Sequence, residues 1–265
     1  MTKPRLYVLG DSFAANLFKE PWLKKGTEIY DYKIDFETEF GVDLKWWTEY
    51  IEEWSNYEVI NLGIGGCTYE DIYYQFGDID EYREGDRLIV HWTNPYRFNF
   101  YNNKSATAAN PDYIDNLKVS DEKKEFILDI FEARKNLWGT EHGDRIRKFV
   151  KYLYTTHKQY EPIFFSIFAE NYIYMRDEPY FYNLNLFLKP ECQINVESGA
   201  KYIDGHWGYI GNYRVALFLL YTLVYKNIPL NEQMKIVDFF PKKDTGLTEF
   251  LIYKDYILKQ QNKFI

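Results

Sequence analysis

Three shortages in this sequence each exclude a class of protein. Cys67 and Cys192 are its two cysteines, too few for a disulfide framework, so a reducing compartment is the simpler expectation. No run of 18 apolar residues occurs, so we expect no membrane-spanning helix and no membrane partner. The 32 Lys and Arg against 40 Asp and Glu give a net charge of −8. This balance argues against a nucleic-acid partner, which requires a basic patch.

We also expect no targeting signal at the start of this sequence. Residues 1–5 lead directly into an apolar run at Leu6, without the successive charged, apolar and cleavable segments of a signal peptide. We therefore expect a cytoplasmic or virion-associated protein.

Aromatic residues, in contrast, are abundant: 26 Tyr and 20 Phe dominate an aromatic share of 20%. Because tyrosine combines an apolar ring with a polar hydroxyl, part of this content is expected at the surface, in contacts with protein or carbohydrate. A compositional preference for tyrosine explains the numbers equally well.

The length of 265 residues suits one α/β domain. We predict this domain over residues 1–227, with an irregular, Asn-rich insertion near 98–120 and a C-terminal extension over 228–265 packed on it. Apolar runs alternate with helical stretches, which predicts a parallel sheet with helices on both faces. The expected strands are Arg5–Leu9, Glu58–Leu62, Arg87–Trp92, Pro162–Phe168 and Leu184–Leu188. The expected helices are Phe13–Lys19, Leu44–Trp54, Tyr69–Phe76, Asp121–His157 with a break around Gly139–Gly143, and Gly208–Tyr225.

Four loops at the edges of these elements carry the polar residues of interest. The first strand runs directly into Gly10–Ser12, at the sheet edge where open α/β folds bind their ligands. Residues 61–68 lie at the end of the second strand, and residues 91–95 lie at the end of the third. The fourth loop, 204–206, is followed by residues 207–212 and the long apolar helix. Because each loop follows a strand or precedes a helix, and carboxyl ends of parallel strands share one edge, we expect all four loops at the same edge of the sheet.

These loops contain the residue types that acyl transfer by serine requires: a nucleophile, a base, an acid that orients the base, and oxyanion donors. Ser12 is the candidate nucleophile and His206 the candidate base. Asp204 lies two residues before His206 and is placed to fix its tautomer. The N–H groups of Ser12 and Gly66 and the side-chain amide of Asn94 are the candidate oxyanion donors.

Each segment alone also fits a simpler structural role. Asp11 and Ser12 are common helix N-caps, and Gly65–Gly66 and Asn94–Pro95 are common turn residues. Residues 204–206 equally fit a turn with a capping aspartate. His91 matches no triad or metal-ligand spacing and is interpreted as a structural residue at a strand end. The order of the four loops, each at an element boundary, favours a site.

Taken together, the loops resemble the SGNH (GDSL-like) hydrolase superfamily, which is defined by four blocks supplying Ser, Gly, Asn and His. Gly10–Ser12 matches the first block, residues 61–68 are similar to the second with Gly66 on the oxyanion glycine, and 204–211 resembles the last. The third block departs from the pattern, because Trp92–Pro95 stands where Gly-x-Asn-Asp is usual. The resemblance implies a flavodoxin-like three-layer α/β/α sandwich with a central parallel sheet of about five strands. It also implies ester chemistry without a metal, and we expect no cofactor.

The resulting expectation is a serine esterase or deacetylase that cleaves a small acyl ester through an acyl-enzyme. The expected substrate class is an acetylated glycan. Two alternatives stay open at this point. An O-acyltransferase would use the same residues with a sugar hydroxyl in place of water. A non-catalytic surface or virion protein on this fold would account for the altered third block, the insertion and the aromatic content. A homo-oligomer or an assembly partner is compatible with each function.

Overall fold

A computed structural model describes residues 3–20, 23–41, 43–94, 97, 120–168, 171, 175, 181–183, 193–202 and 204–225. The chain divides into two compact units, each built from separate stretches of sequence. The sheet unit comprises Pro4–Ala15 and the described residues of Ile60–Asn183. The helical unit comprises Lys3, the described residues of Asn16–Val59 and those of 193–225.

The sheet unit is built on parallel strands. Strands β1 (Arg5–Leu9), β3 (Arg87–His91), β4 (Ile163–Ser166) and β5 (Phe181–Asn183) pair in parallel in that spatial order. Strand β2 (Glu58–Asn61) precedes β1 in the order β2-β1-β3-β4-β5. All of β1 and β4 is buried, which explains the apolar runs Leu6–Leu9 and Ile163–Phe165, because neither face of such a strand meets solvent.

Two helices of the sheet unit contribute to its apolar core. Helix α3 (Tyr69–Gly77) begins where Asp71 accepts hydrogen bonds from the N–H and the hydroxyl of Thr68. Helix α4 spans Asp121–Thr156, and its Ile146, Val150 and Leu153 are fully buried at helical spacing. These three side chains cluster with residues of β1, β3, β4 and α3, which are Tyr7, Leu9, Ile72, Leu88, Val90 and Phe164.

The helical unit holds α1 (Glu28–Phe40), α2 (Trp47–Trp54), the short α5 (Ile194–Glu197) and α6 (Tyr209–Tyr225). Helix α2 packs on α6 through aromatic rings, with Trp54 and Tyr213 edge to face at 5.1 Å. The side chain of Asn212 ties the same two helices together, because its Oδ1 accepts from the N–H of Trp47 at 3.0 Å. Helix α1 contacts α6 where the Tyr32 hydroxyl accepts from the N–H of Tyr209.

The α/β class and the parallel sheet are confirmed. Helix α1, in contrast, was missing from the predicted elements, and the predicted break around Gly139–Gly143 is wrong, because α4 is continuous. Glycine costs a helix about 1 kcal/mol per residue, and the buried face at the C-terminal end of α4 offsets this. Nearly all of the 98–120 insertion, the strand at Leu184–Leu188 and the extension over 228–265 lie outside the described residues. In the described part of the chain, no helix is both long and apolar enough to cross a membrane.

Candidate active site

The turn that follows β1 depends on a glycine at residue 10. Gly10 has a φ of +144°, a conformation that side-chain-bearing residues rarely adopt. A Cβ at this position would lie 2.7 Å from the carbonyl oxygen of His91 and 2.8 Å from the Cβ of Ala14. Only glycine therefore permits β1 to turn this closely against the end of β3.

A buried glutamine of α3 fixes the same turn from the other side. Gln75 accepts from the N–H of Gly10 at 2.7 Å and donates to the Gly10 carbonyl at 3.0 Å. The N–H of Ile64, in the loop after β2, donates to that carbonyl as well, at 3.0 Å. The backbone immediately before Ser12 is thus held by two other segments of the sheet unit.

Ser12 lies in a turn that Asp11 organises. The carboxylate of Asp11 accepts from the N–H of Phe13 at 3.0 Å, and its carbonyl accepts from the N–H groups of Ala14 and Ala15. The segment forms a turn and caps no helix, so the predicted helix Phe13–Lys19 is wrong; a short 3₁₀ helix begins later, over Leu17–Lys19. Ser12 directly follows Asp11 in the sequence, and it is 7% exposed. Ser12 thus lies just past the carboxyl end of β1.

The loop after β2 places the candidate oxyanion glycine. The Asn61 side chain anchors this loop, because it donates to the Ala14 carbonyl at 2.8 Å and accepts from the N–H of Gly63 at 3.0 Å. The chain then turns through Gly66, whose φ is +76°. A Cβ at Gly66 would meet no heavy atom within 4 Å, so the space beside this residue is open.

The loop after β3 is held in place by buried polar groups. Asn171 donates to the Thr93 carbonyl at 2.7 Å and to the Ser166 hydroxyl at 3.0 Å. The Asn94 carbonyl accepts from the N–H of Arg97 at 3.2 Å. Asn94 itself is half-buried, a placement compatible with a side chain that meets a ligand.

One buried hydroxyl connects these three loops. The Oγ1 of Thr93 lies 2.9 Å from the Asp11 carboxylate and 3.1 Å from the Cys67 carbonyl oxygen. Ser12, Gly66 and Asn94 directly adjoin these three residues in sequence. The structure therefore brings the loops of all three predicted residues together in the sheet unit.

Beneath the Ser12 turn lies a charge cluster that sequence reasoning missed. His91 Nδ1 stands 2.9 Å from Asp11 Oδ1, and both side chains are fully buried. Arg97 Nη1 lies 3.1 Å from the other carboxylate oxygen. Burial alone raises the pKa of Asp11, but the charges of His91 and Arg97 and the hydrogen bonds to the carboxylate outweigh it and lower that pKa. The sequence signal that could have indicated this cluster was His91, a polar residue at the end of an apolar strand.

Asp204 and His206 form a pair in the helical unit. His206 Nδ1 lies 2.8 Å from Asp204 Oδ1, and the His206 N–H donates to the same oxygen at 2.7 Å. Burial raises the pKa of Asp204, but these interactions with His206 outweigh it and lower the pKa, so the carboxylate stays charged. The loop is fixed on both sides, because the Ile194 N–H donates to the His206 carbonyl and Asn212 donates to the Trp207 carbonyl.

The thiol nearest to the candidate oxyanion loop is poorly suited to act as a nucleophile. Cys67 is buried, and burial raises the pKa of its thiol well above the usual range. Its Sγ donates to the Gly10 carbonyl instead. In the residues that the structure describes, no group of three or more His, Cys, Asp or Glu is arranged to hold a metal ion.

The predicted site residues thus fall into two groups. Ser12, Gly66 and Asn94 belong to the sheet unit, and Asp204 and His206 belong to the helical unit. Comparison of the chain with protein-family models, with curated proteins and with solved structures finds no match.

Proposed function

We propose that this chain is a serine ester hydrolase of the SGNH type that cleaves a small acyl ester through an acyl-enzyme. The observation that carries this proposal is the Thr93 hydroxyl, which lies within hydrogen-bond distance of both Asp11 and Cys67. The nucleophile turn and both oxyanion loops are thereby held around one point of the sheet edge. Enzymes gain most from donors that are fixed in place before the reaction begins.

In the proposed reaction Ser12 attacks the ester carbonyl, and its proton passes to His206. Asp204 accepts from the Nδ1–H of His206, which leaves Nε2 as the basic nitrogen. The ionised Asp204 carboxylate then stabilises the imidazolium that forms. The proposal therefore requires the two residue groups to act on the same substrate.

Negative charge develops on the former carbonyl oxygen during the attack. The N–H groups of Ser12 and Gly66 and the amide of Asn94 are the proposed donors to this oxyanion. His206 next gives its proton to the leaving alkoxide, so that an alcohol departs and the acyl group remains on Ser12. Water, activated by His206, then hydrolyses the acyl-enzyme and restores the free serine.

The finer features of the proposal rest on the resemblance and on composition. We propose a flavodoxin-like three-layer α/β/α sandwich around a central sheet of about five strands. We propose an acetylated glycan as substrate, because aromatic rings with polar tips, which are abundant in this sequence, suit carbohydrate contact.

The test is ester turnover by purified wild-type protein and matched variants, with p-nitrophenyl acetate and acetylated xylan as substrates. Ser12→Ala and His206→Ala should each lower kcat by roughly 10³-fold or more, because the residues of a triad act as a unit. Ser55→Ala and His157→Ala remove the same side-chain types elsewhere and should keep wild-type rates. Absence of turnover by the wild type, or full turnover by Ser12→Ala, would contradict the proposal. A sugar acceptor added to the same assay separates transfer from hydrolysis by its acylated product.

A further inference from the structure

The buried polar groups beneath Ser12 meet at the side chain of Thr93. Its Oγ1 lies close to two acceptors, the Asp11 carboxylate and the Cys67 carbonyl, and accepts from Arg97 Nη1 at 3.3 Å. A hydroxyl has one proton to donate and two lone pairs. Its one proton can therefore go to either acceptor, and one of its lone pairs accepts from Arg97, at a site where Thr93 is fully buried.

Both oxygens of the Asp11 carboxylate are also in contact with polar partners. One of its oxygens contacts the Phe13 N–H and His91 Nδ1, and the other contacts Thr93 and Arg97. A buried carboxylate is stable only when such partners compensate its charge. Because Asp11 immediately precedes Ser12 and its carboxylate accepts from the Phe13 N–H, this carboxylate is bonded directly to the nucleophile turn.

We propose that Thr93, acting through the buried cluster of Asp11, His91 and Arg97, positions the nucleophile turn and the two oxyanion loops relative to one another. This inference rests on the proposed function and adds Thr93 to it as a positioning residue. Thr93 does not meet the substrate. It holds the neighbours of Ser12, Gly66 and Asn94 at fixed distances.

The expected loss of rate follows from how little displacement of its reacting groups an active site tolerates. A displacement of a reacting group by about 1 Å can lower a rate by roughly 10²-fold. Loss of the hydroxyl would remove the one proton for which the Asp11 carboxylate and the Cys67 carbonyl compete, and Arg97 Nη1 would lose one of its acceptors. The loops would separate where they now meet, and the effect would fall on kcat, because the substrate contacts themselves remain.

The experiment compares Thr93→Val, which keeps the shape but removes the hydroxyl, with Thr93→Ser, which keeps the hydroxyl. Turnover of p-nitrophenyl acetate is measured together with hydrogen–deuterium exchange of the segments 9–15 and 61–68, well below the melting temperature. Thr93→Val should lower kcat by about 10- to 100-fold with KM within about threefold, and exchange in both segments should accelerate. Thr93→Ser should restore kcat and slow exchange.

Wild-type kcat in Thr93→Val would overturn the inference, with or without faster exchange, and so would a loss of kcat without faster exchange. Should Thr93→Val fail to fold, Arg97→Gln removes a donor to the same hydroxyl from the edge of the cluster. It should change kcat and exchange in the same direction, and unchanged values would overturn the inference. Absence of turnover by the wild type would refute the proposed function separately, and exchange in the two segments of Thr93→Val would then decide whether Thr93 couples the loops.

Discussion

Substitution of Gly10 by alanine should destabilise the chain far more than substitution of Gly66, although both glycines have positive φ. At Gly10 the φ is +144°, and residues with side chains in such regions cost about 1–3 kcal/mol. The added Cβ would also lie 2.7 Å from the His91 carbonyl oxygen and 2.8 Å from the Ala14 Cβ. Forced overpacking of this kind costs a further ~1–3 kcal/mol.

At Gly66 only the cost of the backbone conformation applies, because a Cβ there would meet no heavy atom within 4 Å. A non-glycine residue in the left-handed region costs about 1–2 kcal/mol. The expected loss of unfolding free energy is therefore roughly 2–6 kcal/mol for Gly10→Ala and 1–2 kcal/mol for Gly66→Ala. For a chain of this length each kcal/mol lowers the melting temperature by about 2–4 °C.

Thermal unfolding followed by circular dichroism, with urea unfolding at 25 °C, measures both differences. If Gly10→Ala melts at the same temperature as Gly66→Ala or above it, the close contact between the ends of β1 and β3 is not a constraint on this fold. The reasoning that ties Gly10 to the nucleophile turn would then be refuted.

Three further predictions concern single residues of the site. Asn94→Ala should lower kcat by about 10²–10³-fold, the usual value for one oxyanion donor, with the melting temperature unchanged; an unchanged kcat in steady-state kinetics would reassign Asn94 to a structural turn. The pKa of Asp11 is lowered in the folded state, so its stabilising contribution is present above the unfolded pKa of about 4 and is lost as the pH falls. The difference in unfolding free energy between the wild type and Asp11→Asn should therefore shrink between pH 5 and pH 3, and a constant difference in urea titrations would contradict this. Cys67 should resist iodoacetamide in the native protein and react in urea, as peptide mass mapping will show; rapid native alkylation would contradict its burial.

The local elements of the fold could be predicted closely from the sequence. Strand β1 has the predicted bounds, and β3 ends one residue earlier than predicted, because continuous apolar runs identify buried parallel strands. Helix α1 was not predicted, although Ile29 and Tyr32 are buried at helical spacing; five of its thirteen residues are acidic, which weakens the apolar pattern. The continuity of α4 through Gly139–Gly143 could not be read from local propensity, since tertiary packing of its buried face decides it.

Only part of the candidate site could be predicted from the sequence. Ser12, Gly66 and the pair of Asp204 and His206 belong to short motifs, so the sequence could indicate them. The charge cluster beneath Ser12 could not be found this way, because its contacts join residues 80 or more positions apart, such as Asp11 and Arg97. Such contacts depend on the pairing of β1 with β3, which no local pattern specifies.

The proposed serine chemistry is tested most directly by labelling the wild-type protein with a fluorophosphonate and locating the adduct by mass spectrometry. The proposal predicts one adduct, on Ser12, that is absent from Ser12→Ala and forms much more slowly in His206→Ala. An adduct on another residue, or no labelling of the folded wild-type protein, would contradict the assignment of Ser12 as the nucleophile.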